Sequence, residues 1–175
     1  SDYNKPMGKL WKHIEARNAK KQIDIDIWNE YFKFAFVRNP WSRILSQYSW
    51  WTQNTWDDEK KTGDKVRKMK NFEEYLVQKI GIVPNQKLQL FEEDIPLVDY
   101  IGRFEYLEED FNEVCNLLKL ENVSLIHENK TNHKDYKKYY NNDNNAIIEY
   151  LYNKDIESFG FDFDNTANKN IGVII

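Results

Sequence analysis

Cysteine is nearly missing from this chain: Cys115 stands alone among 175 residues, which excludes an internal disulfide. Four prolines and six glycines are too few for a collagen-like or low-complexity chain. The three histidines, His13, His127 and His133, do not stand with Cys115 at zinc-ligand spacing, so no metal site is expected. The longest apolar patches, residues 34–37 and 171–175, fall far short of the roughly 18 residues that a membrane-spanning helix needs. Residues 1–12 also lack the apolar stretch of a signal peptide. An excess of positive charge is missing too. With 25 Lys and Arg against 29 Asp and Glu, the net charge of −4 argues against a nucleic-acid partner, although residues 60–70 (KKTGDKVRKMK) and 130–138 are locally basic. Aromatic residues are abundant. Six Trp, eleven Tyr and ten Phe supply enough burial for one domain over residues 1–175, held by packing alone.

The order of elements follows from periodicity and caps. Residues 8–23 lack an internal proline after Pro6 and predict a helix with His13, Arg17 and Lys20 on one face. An acidic turn at 24–26 leads to residues 31–37 (YFKFAFV), which read as a buried strand. Asn39-Pro40 is a helix start, because Asn caps well and proline at the first helical position loses only a hydrogen bond that would be absent anyway. That helix is expected to run to about Trp51, and the polar stretch after it, to Lys70, reads as a long exposed loop. Asn71 with Glu74 predicts a capping box and a helix burying Phe72, Tyr75, Leu76 and Ile80. Residues 97–104 (LVDYIGRF) read as a second buried strand, and a helix over 107–119 follows with an acidic first turn. Helical pieces at 135–140 and 143–154 complete the chain. Strands alternating with helices predict an α/β fold with a parallel sheet.

The chemistry concentrates in residues 34–48, FAFVRNPWSRILSQY. A strand delivers Arg38 at its carboxyl end and a helix starts at once, the arrangement in which α/β proteins bind anions. Arginine offers planar charged donors, and Ser46, two turns along, can add a hydroxyl; residues alone leave open whether these groups hold a phosphate or serve packing and ion pairing. Trp50, Trp51 and Trp56 beside the basic 60–70 stretch would suit a sugar platform, and core packing is the competing role.

The run VRNPWSRILSQY resembles the 3′-phosphate-binding motif V-R-N-P-x-x-R-x-x-S-x-Y of sulfotransferases that use 3′-phosphoadenosine 5′-phosphosulfate, with the same eight-residue step from Arg38 to Ser46. Residues 13–16 (HIEA), 101–111 (IGRFEYLEEDF) and 155–161 (DIESFGF) are similar to further segments of the membrane-associated carbohydrate sulfotransferases and their bacterial relatives. The resemblance implies a P-loop-like three-layer α/β fold with a central parallel sheet flanked by helices. It implies 3′-phosphoadenosine 5′-phosphosulfate as co-substrate, no metal, and a carbohydrate or other hydroxyl acceptor. Arg38 and Ser46 would bind the 3′-phosphate, Thr131 and Lys134 would close over the nucleotide, and His13 would be the base. Arg43 is expected to hold its helix to the sheet, and Glu105 to be structural, pairing with a basic group near the site.

One family feature is missing. No strand followed by P-K-x-x-x-[ST]-[ST], the loop that cradles the 5′-phosphosulfate, occurs in the sequence. Losing one transition-state donor costs about 10²–10³ in rate, so a chain without the whole loop is expected to turn over only as part of a longer enzyme or with another chain's help. The alternative is a non-catalytic module that keeps the 3′-phosphate pocket and binds nucleotide or glycan. Without the first strand, the edge of the 31–37 strand is expected to be exposed and to invite oligomerisation. The lack of targeting signals predicts a cytoplasmic protein, or one of the Golgi membrane if the chain is a piece of a eukaryotic enzyme.

Overall fold

The computed structural model describes residues 14–55, 60–79, 83–121, 123–125, 135–165 and 171–173. In chain order these form α1 (Ala16–Gln22), α2 (Ile25–Glu30), β1 (Phe34–Val37), α3 (Pro40–Gln53), α4 (Thr62–Arg67), α5 (Phe72–Gln78) and α6 (Gln86–Leu90). The hairpin β2 (Phe91–Glu92) and β3 (Ile95–Pro96), then β4 (Tyr100–Arg103), α7 (Leu107–Leu117), α8 (Asn142–Leu151), α9 (Asn153–Phe159) and β5 (Gly172–Val173) follow. Short 3-10 turns occupy Phe104–Tyr106 and Tyr136–Tyr139. The protein is α/β, a small sheet flanked by helices.

Contacts divide the chain into two compact units, one of Ser1–Val37, Gln86–Val123 and Lys169–Ile175, the other of Arg38–Asn85 and Ser124–Asn168. The first holds the sheet, ordered β1-β4-β5. β1 and β4 are parallel, with Phe34 opposite Tyr100 and Val37 opposite Arg103. β5 runs antiparallel to β4, so the sheet is mixed rather than purely parallel. Gly102 lets the strands pack closely, because a Cβ there would lie 2.6 Å from Cε1 of Phe36. Helix α7 packs on β4 with Val114 buried, and fully buried Asp110 accepts the Arg103 N–H at 2.7 Å. The Lys33 ammonium bridges to Asp99 at 2.8 Å, and the Lys33 N–H donates to the same carboxylate, tying the starts of the two parallel strands.

The expectation of a buried first strand fails at its start. Phe34 is 41% exposed and only Val37 is buried, because β1 pairs on one side only among the described residues. Of the predicted 8–23 helix, residues 8–13 lie outside the described residues; within the rest, Glu15 is extended (φ −68°, ψ 144°) and α1 begins at Ala16. Asp24 does not make a turn but caps α2, its carboxylate accepting the Asp26 N–H.

The second unit is helical and built around α3, α5 and α8. Trp41, Ile44, Leu45, Tyr75, Leu76, Ile148 and Tyr152 are each at most 2% exposed and form its centre. Phe72 joins Tyr48 and Tyr140, with both ring centroids 5.3 Å away. Asn71 caps α5 by accepting the Glu74 N–H, as read, but the Glu74 carboxylate accepts from the Lys70 N–H rather than closing the box. The expected loop up to Lys70 is in part helix α4, which buries Thr62, Gly63 and Val66; their spacing carries too few apolar residues to show as a stripe. The predicted 143–154 helix is two helices. Tyr152 leaves helical geometry, α9 restarts at Asn153, and Gly160 closes it at φ 63°.

Candidate anion-binding site

Arg38 follows the last residue of β1, and Asn39 sets the next helix. The Asn39 carbonyl oxygen accepts the Trp41 N–H at 3.1 Å, capping α3, while its amide donates to the Asp162 carbonyl at 2.9 Å and to Asn165 at 3.2 Å. Asn39 is fully buried, so the start of α3 is tied to the turn that follows α9. Trp41 reinforces this: its indole N–H donates to Asn145 at 2.6 Å and its ring meets Phe163 edge-on at 5.9 Å. The backbone around Arg38 therefore has little freedom.

The half-buried Arg38 side chain turns along α3, and Nε donates to Oγ of Ser42 at 2.8 Å. Ser46 lies one turn further on, half-buried and on the same side as Ser42 by the helical period. Arg38 and Ser46 thus sit along one helix face, with Ser42 between them. Sequence reasoning missed Ser42; the signal was its place four residues from each partner.

Arg43 goes elsewhere. It donates to the Pro84 carbonyl at 2.9 Å and lies near Tyr152 and the fully buried Asp155, so it fastens α3 within the helical unit rather than to the sheet. Burial lowers its pKa, and the neighbouring Tyr152 and Asp155 oppose that shift. Trp51 is 8% exposed, which removes it from a sugar platform; Trp50 packs against it edge-on at 4.8 Å. Arg67 of α4 caps the end of α3 by donating to the Trp51 and Asn54 carbonyls, and its other terminal nitrogen pairs with Asp64 at 2.9 Å. The amines of Lys61, Lys65 and Lys68 on this segment are left at the surface. Glu105 falls in the 3-10 turn after β4. His13, Thr131, Lys134 and Trp56 lie outside the described residues, as do His127 and His133. Among the described residues no group of His, Cys, Asp and Glu could hold a metal ion, and no helix is long and apolar enough to cross a membrane.

A guanidinium and serine hydroxyls along one half-buried helix face are a donor set fitted to a phosphate or sulfate. The family model described as sulfotransferase family matches residues 2–162, nearly the whole chain. The chain belongs to the sulfotransferase family. Searches of curated proteins and of solved structures returned no match. Sulfotransferases move a sulfuryl group onto an acceptor, and membership supports that general chemistry for this sulfotransferase.

Proposed function

We propose that the protein acts with 3′-phosphoadenosine 5′-phosphosulfate as donor and a hydroxyl of a carbohydrate or similar acceptor, Arg38 and Ser46 holding the donor's 3′-phosphate. The observation that carries this reading is the Arg38 guanidinium, held to α3 through Ser42 on the face that also bears Ser46. A dianionic phosphate there would meet charged planar donors and hydroxyls together, the strongest hydrogen-bonding combination these side chains offer. Thr131 and Lys134 are proposed to approach the nucleotide and His13 to serve as base.

In the reaction the acceptor oxygen forms a bond to sulfur as the bond from sulfur to the bridging phosphate oxygen breaks. The base takes the hydroxyl proton, and adenosine 3′,5′-bisphosphate leaves with the electron pair. Holding the 3′-phosphate fixes the donor so that attack and departure are in line, a positioning contribution rather than a chemical one. A second reading, a module that binds the nucleotide without transfer, would use the same side chains for the 3′-phosphate.

Calorimetry separates these readings from an unrelated role for the site. Adenosine 3′,5′-bisphosphate should bind the chain, and Arg38→Ala should weaken it by at least about tenfold, the loss of a charged hydrogen-bonding pair. Equal heats for the two proteins would end the assignment. Transfer of labelled sulfate to a panel of sugar acceptors then distinguishes enzyme from module: binding with no transfer, in a chain supplied with a phosphosulfate loop, leaves the module.

A further inference from the structure

The motif that the chain resembles leaves the position of Ser42 unspecified, yet this is the side chain that the structure joins to Arg38. Among the described residues its Oγ makes one hydrogen bond, accepting from Nε of Arg38 at 2.8 Å. Its own hydroxyl hydrogen has no acceptor there. Two physical consequences follow. Holding Nε restricts the guanidinium's rotation, so the direction of its two Nη groups is set relative to α3. A hydroxyl that accepts from a cation is also polarised, and its hydrogen becomes a better donor.

We infer that Ser42 is a third member of the anion site: it pins the Arg38 guanidinium so that the Nη edge faces the phosphate, and it donates its own hydroxyl hydrogen to that phosphate. This rests on the reading of Arg38 and Ser46 as the 3′-phosphate site. The hydrogen bond brings the Arg38 side chain beside Ser42, and four-residue spacing on α3 puts Ser46 one turn further, so a single phosphate can span the guanidinium and successive hydroxyls. Ser42 is half-buried on a helix whose packing comes from Trp41, Ile44 and Leu45, and alanine is a good helix former, so replacing it leaves the fold intact.

The test combines two measurements. In the ligand-free chain, nitrogen-15 spectra should show the Arg38 Nε–H slowed in exchange with water, fast in Ser42→Ala and slowed again in Ser42→Thr. In calorimetry, Ser42→Ala should weaken adenosine 3′,5′-bisphosphate by about tenfold, leave adenosine 5′-monophosphate unchanged, and be rescued by Ser42→Thr. In an Arg38→Ala background the same change should cost less than about twofold, because coupled partners do not add. Unaltered Nε–H exchange, equal losses for both nucleotides, or the same loss in both backgrounds overturns the role of Ser42. Arg38→Ala binding like the parent chain overturns instead the site on which that role is built, whatever Ser42→Ala does.

Discussion

Asn39 shows how one side chain can serve two segments. Its oxygen caps α3 and its amide holds the Asp162 carbonyl and Asn165, and its own side chain is fully buried. Replacing it with alanine removes the cap and both amide hydrogen bonds, which should cost about 2–3 kcal/mol of stability in urea unfolding. Asn39→Asp keeps the cap but turns a carboxylate oxygen toward the Asp162 carbonyl, so it should be no milder. A loss below about 0.5 kcal/mol for both variants would mean that the amide is not holding the turn. Arg38, next to it, can be read from sequence as a candidate anion ligand by its place between a strand and a capped helix. The serine that accepts its Nε–H cannot, because a serine in mid-helix looks the same in sequence whether it faces a guanidinium or solvent.

Among elements, those with caps and clear stripes were legible. Asn39-Pro40 and Asn71 announce α3 and α5, and the spacing of Phe111 and Val114 announces α7. Segments whose structure depends on a few contacts were not. Helix α4 buries a threonine, a glycine and one valine in an otherwise charged stretch, and α9 continues past a break at Tyr152 that no proline or glycine marks. Asp110 was read as a charge suited to the helix dipole, but it is fully buried and accepts from the backbone of β4. The strand pair depends on Gly102. A methyl group there would press on the Phe36 ring and on Cβ of Asp110 at 3.0 Å, so Gly102→Ala should cost about 1–3 kcal/mol through overpacking. Thermal melting that leaves this variant level with the parent chain would show that the Phe36 ring yields freely.

Across the whole molecule, stability without disulfides falls to aromatic packing, and this gives the protein an alkaline weakness. Burial raises the hydroxyls of Tyr75, Tyr140 and Tyr152 above the ordinary tyrosine value of 10.0; neighbouring tyrosines add to this for Tyr75 and Tyr140, while Arg43 opposes it at Tyr152. Tyr75 donates to Gln47, Tyr140 to the Trp41 carbonyl and Tyr152 to the Val83 carbonyl, bonds that need the proton. Below about pH 10 both folded and unfolded chains keep these protons and the stabilisation is complete. Above it the unfolded chain releases them first, so stability falls as pH rises toward the folded values. Urea midpoints should hold steady from pH 8 to 9.5 and drop steeply beyond about pH 10, with tyrosinate absorbance lagging behind that of free tyrosine until unfolding. An unchanged midpoint at pH 11 would contradict it.

Arg43 and the fully buried Asp155, far apart in sequence, lie near each other inside the helical unit, where the carboxylate favours the charged guanidinium against the burial that opposes it. An uncharged residue at position 155 would withdraw that support and leave the arginine's charge less well accommodated. A substitution at one end of the unit's sequence is thus felt by a side chain more than a hundred residues away.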